Sequence, residues 1–560
     1  MRVLSSCLAA LTLLLVTPAC SGDDDKSDEE GTPADTGDTS DTADTSDTSD
    51  TSDTSDTSDT SDTSDTADTT DADGDGYDDT VDCDDDNPDV NPGAEEVAGD
   101  GIDNDCDEST CAGNGFSGAV SPISLPEGYG SRTFNDVGHP GDCAGDRPRW
   151  TLTDLTGDGL EDVVVLRSSC GDVEPGLTTW EVHTGTGTGT GFGAATPWTL
   201  PTDLAEGALR SPGNPIGCEA TGQPRWALRD IDGDGLKDVV ISQNCTDPTG
   251  VGTTHWQVHR NTGSGFDTAS TWALPPGAST AAFDDFNNLV DCAAGRPASS
   301  LIDIDQDGDE DLVITRSACA DDATGVTEWR VHDNTGTGFA STATSFSLPG
   351  SYGIGTFYAP GHGGDCSDSI PTWSFQDIDG DGLLDAIITW LDCDDSTVGT
   401  TEWRVHPGSA TGLSNAPTTY TLPTGFGIDA FDALGGDVDC DSNQPRYFFD
   451  DLDGDARPEL VVTLSPCEDD DVGTVRWRTF RSTGTVFSAA GDDWILPVGY
   501  GPETFLRSGA VRECSPGTPG WTLRDVDNDG YKDVLVTASA CLDDDVGAST
   551  WAAHLGGCSL

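Results

Sequence analysis

Positive charge is scarce in this chain. Lys and Arg number 24 against 103 Asp and Glu, a formal net charge of −79 at pH 7. Phosphate backbones would be repelled, which excludes a basic nucleic-acid binder. The apolar run Leu8 to Val16 is too short to serve as a permanent membrane span. No His precedes His139, and the only Met is Met1, so residues 21–110 lack the imidazole and thioether ligands that copper favours. There is no CxxC, which argues against zinc. GxSxG, HExxH, a Walker loop and a Rossmann fingerprint are all missing, so no standard catalytic motif is present.

Carboxylate is abundant but uneven. Residues 21–110 hold 35 Asp and Glu with one Lys, Lys26, and no Arg. Residues 1–19 read as an export signal, with Arg2 at its positive start and Leu8 to Val16 as its core. It ends in "VTPAC", which resembles a lipobox whose Cys20 is acylated. Thr17 and Pro18 are not the favoured residues there, so cleavage without lipid stays open. Residues 20–70, mostly "TSDTSDTSD", cannot bury apolar area and are expected to be a disordered, self-repelling stalk. Its Ser and Thr could carry O-glycans.

Residues 71–110 form an acidic module. "DADGDGYDDTVD" places Asp71, Asp73, Asp75, the Tyr77 carbonyl, Asp79 and Asp82 at positions 1, 3, 5, 7, 9 and 12 of an EF-type calcium loop, with Gly76 at the sharp turn. Asp82 stands where a bidentate Glu is usual, which predicts weaker affinity. Asp100, Asp103, Asp105 and Asp107 form a second cluster.

Residues 111–560 contain six repeats stepping by about 74 residues, the usual sign of stacked units. Their Asp motifs start at Asp154, Asp230, Asp303, Asp377, Asp451 and Asp525. Carboxylates at alternate positions followed by Gly read as a calcium loop, and the apolar run after it as a buried strand. Each repeat offers four strand-like segments and no helix signal, the size of a propeller blade. The predicted fold is an all-β, six-bladed propeller. The turn-like "CAGNGF" (Cys111 to Phe116) begins where the sixth repeat stops, so the N-terminal strand (residues 113–125) is expected to complete the last blade and close the ring. Paired cysteines imply an oxidising compartment. Six pairs share a spacing of 27 residues: Cys143–Cys170, Cys218–Cys245, Cys292–Cys319, Cys366–Cys393, Cys440–Cys467 and Cys514–Cys541. Each is expected to staple one repeat and, in the chain-entropy description, to contribute roughly 3 kcal/mol. Cys83–Cys106 and Cys111–Cys558 complete the set. Cys7 leaves with the signal, and Cys20 remains for the lipid.

The Asp loops and their following strands resemble FG-GAP/VCBS repeats, the calcium-bearing propeller repeats of integrin α-chains and bacterial surface proteins. Carried over by this resemblance, the ligands are Asp154, Thr156, Asp158 and Asp162; Asp230, Asp232, Asp234 and Asp238; Asp303, Asp305, Asp307 and Asp311; Asp377, Asp379, Asp381 and Asp385; Asp451, Asp453, Asp455 and Glu459; and Asp525, Asp527, Asp529 and Asp533. A backbone carbonyl two residues after the third ligand, and water, would complete each site. Thr156 lacks a carboxylate and Ala456 replaces the turn Gly, so those two sites are expected to be weaker. Integrin propellers have seven blades; the six here are counted from this sequence. The segment from Asp82 to Asp107 resembles the MopE-type metal-binding motif. The name is linked to copper, but the donors present read as a calcium site.

Two series recur on the third strand. Trp180, Trp256, Trp329, Trp403, Trp477 and Trp551 read as blade-packing core. His183, His259, His332, His406 and His554, with Phe480 breaking the series, read as structural or solvated on a polar face.

The expected role is non-enzymatic: a calcium-binding, surface-displayed bacterial lipoprotein of the outer membrane or cell surface, acting in adhesion or recognition. Its partners would be calcium, a membrane through the lipid, and a glycan or protein ligand, with no nucleic acid; the molecule would be a monomer. A propeller polysaccharide hydrolase or lyase and a structural or calcium-buffering coat protein are the alternatives.

Overall fold

The computed structural model describes residues 73–77, 81–83, 87–88, 90–94 and 106, and residues 115–557 apart from short stretches between strands. All of these lie in one unit, Asp68–Leu560. The signal, Cys20 and the stalk fall outside the described residues. So do Cys111, Cys558 and all twelve repeat cysteines.

Six antiparallel sheets form the blades, and in each the strands lie in the order predicted from the repeat. Blade 1 comprises Arg147–Thr153, Asp162–Arg167, Thr179–His183 and Thr196–Thr199, with His139–Asp142 as an extra strand beside the first. Blade 2 comprises Arg225–Arg229, Asp238–Gln243, His255–His259 and Ser270–Ala273. Blade 3 comprises Ala298–Ile302, Asp311–Arg316, Glu328–His332 and Thr344–Ser347. Blades 4 and 5 repeat the plan from Thr372–Gln376 to Thr418–Thr421 and from Arg446–Asp450 to Asp492–Ile495.

Blade 6 takes Gly520–Arg524, Asp533–Ala538 and Thr550–His554 from the end of the chain and Ser121–Ser124 from its start. Ser121 pairs with Ala553 and Ser124 with Thr550. The ring is therefore closed by the N-terminal strand, which removes the free edge an open array would leave.

Burial follows from this stacking. The second strand of blade 1, DVVVLR, is buried at five consecutive residues because neighbouring blades cover both its faces. The fourth strand, TPWT, buries only Trp198 and forms the rim. Each third-strand Trp ties its blade to the segment leading into the next. Trp180 Nε1 donates to Leu209 O, Trp256 to Phe283 O, Trp329 to Phe357 O, Trp403 to Phe431 O and Trp477 to Phe505 O. Trp551 Nε1 donates to Phe134 O at 2.7 Å, which carries the same bond across the closing seam. These six Trp are buried core, as the sequence predicted.

At four interfaces a second set of contacts links the end of a first strand to the residue just before the next blade's second strand. Lys237 Nζ donates to Thr153 Oγ1 at 2.7 Å, Arg229 pairs with Glu310, and Lys532 acts favourably on Asp450. At the seam Arg524 Nη1 meets Glu161 Oε1 at 2.6 Å. The partners differ in chemistry from one interface to the next, so the seam has its own matched pair.

Candidate metal centres

The Asp loop of each blade joins the first strand to the second. Its first carboxylate folds the loop: Asp377 accepts from Gly380 N and Gly382 N, and Asp451 from Gly454 N and Ala456 N. The third accepts through one oxygen from the residue two further on, as Asp234 does from Leu236 N and Asp529 from Tyr531 N. These turns leave other carboxylate oxygens to converge. Asp230, Asp232 and Asp234 bring one ligand atom each within 4.8 Å of one another, as do Asp303, Asp305 and Asp307, and Asp377, Asp379 and Asp385.

The fourth carboxylate opens the second strand and is fully enclosed. Asp162, Asp238, Asp311, Asp385, Glu459 and Asp533 are at most 2% exposed. The structure gives it a role the sequence reading missed. It accepts backbone N–H groups from the end of the third strand and from its own loop. Asp533 accepts from Gly556 N and Val526 N, and Asp385 from Gly408 N and Ile378 N. In blades 2 and 3 only one oxygen is used so; Asp238 Oδ2 and Asp311 Oδ2 are buried without a partner. Asp232 Oδ1, Asp303 Oδ1 and Asp527 Oδ1 are buried and partnerless too.

Orphaned buried carboxylate oxygens are costly unless a cation or proton meets them. Burial, reinforced by the surrounding loop carboxylates, pushes Asp238, Asp311 and Asp385 up to about 7, Asp533 to about 8 and Glu459 to about 9. Without a cation the groups compete for protons near neutrality. The donors are hard oxygens, and they fit a divalent metal ion.

The blades are not equivalent. Thr156 Oγ1 is buried and without a partner in blade 1. Ala456 holds φ +67° where the matching Gly382 holds +87°, so the loop shape survives with strain. The sequence reading also overlooked two arginines after the third strand. Arg260 Nη1 lies 2.9 Å from Asp232 Oδ2, and Arg481 Nη2 lies 3.5 Å from Asp453 Oδ2. Their shared repeat position was the available signal.

In the N-terminal module, Asp73, Asp75 and Asp82 also converge within 4.8 Å, while Asp71 and Asp79 lie outside the described residues. Asp75 Oδ1 accepts from Tyr77 N at 2.9 Å. Cys83 and Cys106 form a disulfide, so their sulfurs offer no thiolate. The described donors do not fit a copper site built on thiolate or imidazole.

The recurrent histidines are buried rather than solvated. His183, His332 and His406 place Nδ1 within 3.0 Å of the carbonyls of Gly193, Ala340 and Ser414. Nε2 of His183, His406 and His554 lies 2.6–2.9 Å from the hydroxyls of Tyr129, Tyr352 and Tyr500. Where Phe480 replaces the His, Phe426 replaces the Tyr, with ring centroids 6.3 Å apart. In blades 2 and 3 the His is kept while Leu204 and Ala278 stand at the Tyr position of the repeat, so burial against the loop carbonyl, not the Tyr, is what the series shares.

Residues 82–110 match the Cu-binding MopE family, described as a "Putative metal-binding motif". No curated protein matches the chain. Among solved structures, the chain is similar to the Photorhabdus luminescens Tc holotoxin pore, at 18% identity and TM-score 0.40 over 73% of this chain and 14% of that one. It is also similar to an Agrocybe aegerita lectin that recognises non-reducing terminal N-acetylglucosamine, at 16% identity and TM-score 0.35 over 69% and 74% of the two chains. The rhamnogalacturonan lyase YesW matches at 11% identity and TM-score 0.29 over 79% and 76%. The chain spans only about a seventh of the holotoxin chain, and the propeller assignment rests on the sheet topology, not on these similarities. The fold and its sites define a six-bladed propeller carrying an N-terminal metal-binding motif.

Proposed function

We propose that this protein is a calcium-stabilised recognition module, not an enzyme. Lipid on Cys20 holds it at a bacterial surface, the acidic stalk lifts it clear, and the propeller engages a glycan or protein ligand. The observation that carries the metal reading is the set of buried, partnerless oxygens on Asp232, Asp238, Asp303, Asp311 and Asp527 within converging carboxylate loops. Calcium suits them because it accepts six to eight oxygen ligands in flexible geometry, whereas magnesium resists dehydration.

Calorimetric titration of metal-free protein tests the metal. Several sites should fill with calcium and remain largely empty with equimolar magnesium; equal affinity for both ions would sink the calcium assignment. A glycan array probed with and without chelator tests the role. Calcium-dependent binding without product release is expected, and release of shortened glycans would turn the reading toward an enzyme.

A further inference from the structure

A groove of about 430 Å³ lies between blades 3 and 4, within the size range of small-molecule sites. Its walls are the first strand of blade 3, Thr315, Asn287 and the segment Tyr358 to Pro360 that leads into blade 4. The sequence explains why it is open here. Between blades 2 and 3 the matching space is taken by Phe286, which is 6% exposed, packs 5.3 Å from Trp256 and has the Arg229 guanidinium 5.4 Å above its ring. Between blades 5 and 6, Phe448 packs 5.3 Å from Trp477. By repeat position, Pro360 stands where Phe286 stands, and Ser300 where Phe448 stands. Neither can fill the gap.

The chemistry of the lining is unusual for this protein. The chain has 103 acidic residues, yet every described residue that lines the groove is neutral. Ser300 and Asn287 supply a hydroxyl and an amide group. Thr315 Oγ1 donates to Tyr358 O at 2.8 Å, which fixes the wall, and the Arg316 guanidinium sits 4.0 Å over the Tyr358 ring. Neutral hydrogen-bonding groups beside an aromatic ring suit a compact, uncharged, hydroxyl-rich ligand. An anionic one would have to enter against the field of a strongly acidic protein, which the single charge of Arg316 on the Tyr358 ring only partly offsets.

We infer that this groove binds one neutral sugar unit, free or at the end of a chain. The inference deepens the recognition role proposed above and rests on it. The groove has room for one sugar unit, so one sugar should bind at it per propeller.

The test uses the full chain in calcium, with methyl glucoside, methyl galactoside and methyl mannoside as probes and glucuronate as the charged comparator, read by calorimetry and saturation-transfer NMR. At least one neutral glycoside should bind with a stoichiometry of one, and glucuronate more weakly. Ser300→Trp should fill the groove and abolish binding. Asn287→Ala, at an exposed residue, should keep the melting temperature and weaken binding roughly ten-fold, the scale of one lost hydrogen bond. Ser374→Ala, at the matching position of blade 4, should change neither. A free-sugar site binds the glycosides as tightly as oligosaccharides on the array; a chain-end site prefers the oligosaccharides, and both lose affinity in Asn287→Ala. Binding on the array that Asn287→Ala and Ser300→Trp leave intact overturns the groove and spares the recognition role. Absence of all binding in calcium overturns both.

Discussion

The Asp loops of blades 3 and 5 share a backbone path but differ in electrostatics. In blade 3, burial first and then Asp307, Asp303 and Asp333 raise the proton affinity of Asp305, and burial with Asp305, Asp333 and Asp307 does the same to Asp311. Asp303 Oδ1 and Asp311 Oδ2 are buried without partners. In blade 5, Arg481 stands 3.5 Å from Asp453 and lowers its proton affinity, partly offsetting burial and Asp455. Each loop also strains one residue, at different places: Gln306 at φ +61° in blade 3 and Ala456 at +67° in blade 5. The same fold thus makes one loop with no cationic side chain beside its second carboxylate among the described residues and another in which Arg481 partly meets that carboxylate, while the enclosed Glu459 is still pushed up to about 9.

Calcium removal should break this comparison most visibly. A site held at a hundred times its Kd stabilises the native state by about 2.7 kcal/mol, so several sites together should raise the melting temperature substantially. Hydrogen exchange after chelation should show residues 303–311 losing protection before residues 451–459. Equal protection in both loops would remove the distinction, and an unchanged melting temperature would remove the metal.

The pH dependence should be next in size. Asp238, Asp311 and Asp385 sit at about 7, Asp533 at about 8 and Glu459 at about 9 in the metal-free fold. These values lie above those of unfolded carboxyls, about 4. Their contribution is therefore full below about pH 4 and is lost as pH rises through 7 to 9. Metal-free protein should melt higher at pH 5 than at pH 8, and saturating calcium should reverse that order. A chelated sample that melts higher at pH 8 would contradict the assignment.

Ala456→Gly should stabilise blade 5 by about 1 kcal/mol, because Gly holds a positive φ without the Cβ clash. Chemical denaturation would measure it, and a destabilised variant would mean that Ala456 packs usefully. Arg481→Gln should have the smallest effect, below about 1 kcal/mol in metal-free protein, since the guanidinium is partly solvated. It should tighten calcium binding at that loop and make it behave like blade 3. Unchanged calcium affinity would show that Arg481 does not act on the site.

The loops were legible because their carboxylates are neighbours in sequence. Asp230, Asp232 and Asp234 need only a tight turn to converge. The Trp series was legible too, since alternation on a strand puts Trp329 and Val331 on one face. The histidine series was misjudged as facing a polar surface for the opposite reason. Glu328 and Arg330 do share a face with His332, but the end of the strand is covered by a loop whose carbonyl meets His332 Nδ1. The Tyr partners in "LPEGYG", "LPGSYG" and "LPVGYG" were visible, but their pairing with a His 54 residues on was not.

By itself the sequence determined the repeat, the strand alternation, the clustering of carboxylates in the loops and the place where the ring must join. Each of these depends on residues within one turn or one strand, or on a periodicity that survives along the chain. Tertiary structure alone decided which residues face one another between blades. Glu161 and Arg524 are 363 residues apart, and Phe134 and Trp551 are 417 apart. Ser300 and Pro360 leave a groove only because blade 4 stacks beside blade 3. Contacts across an interface depend on the stagger of two packed sheets, which no local pattern encodes.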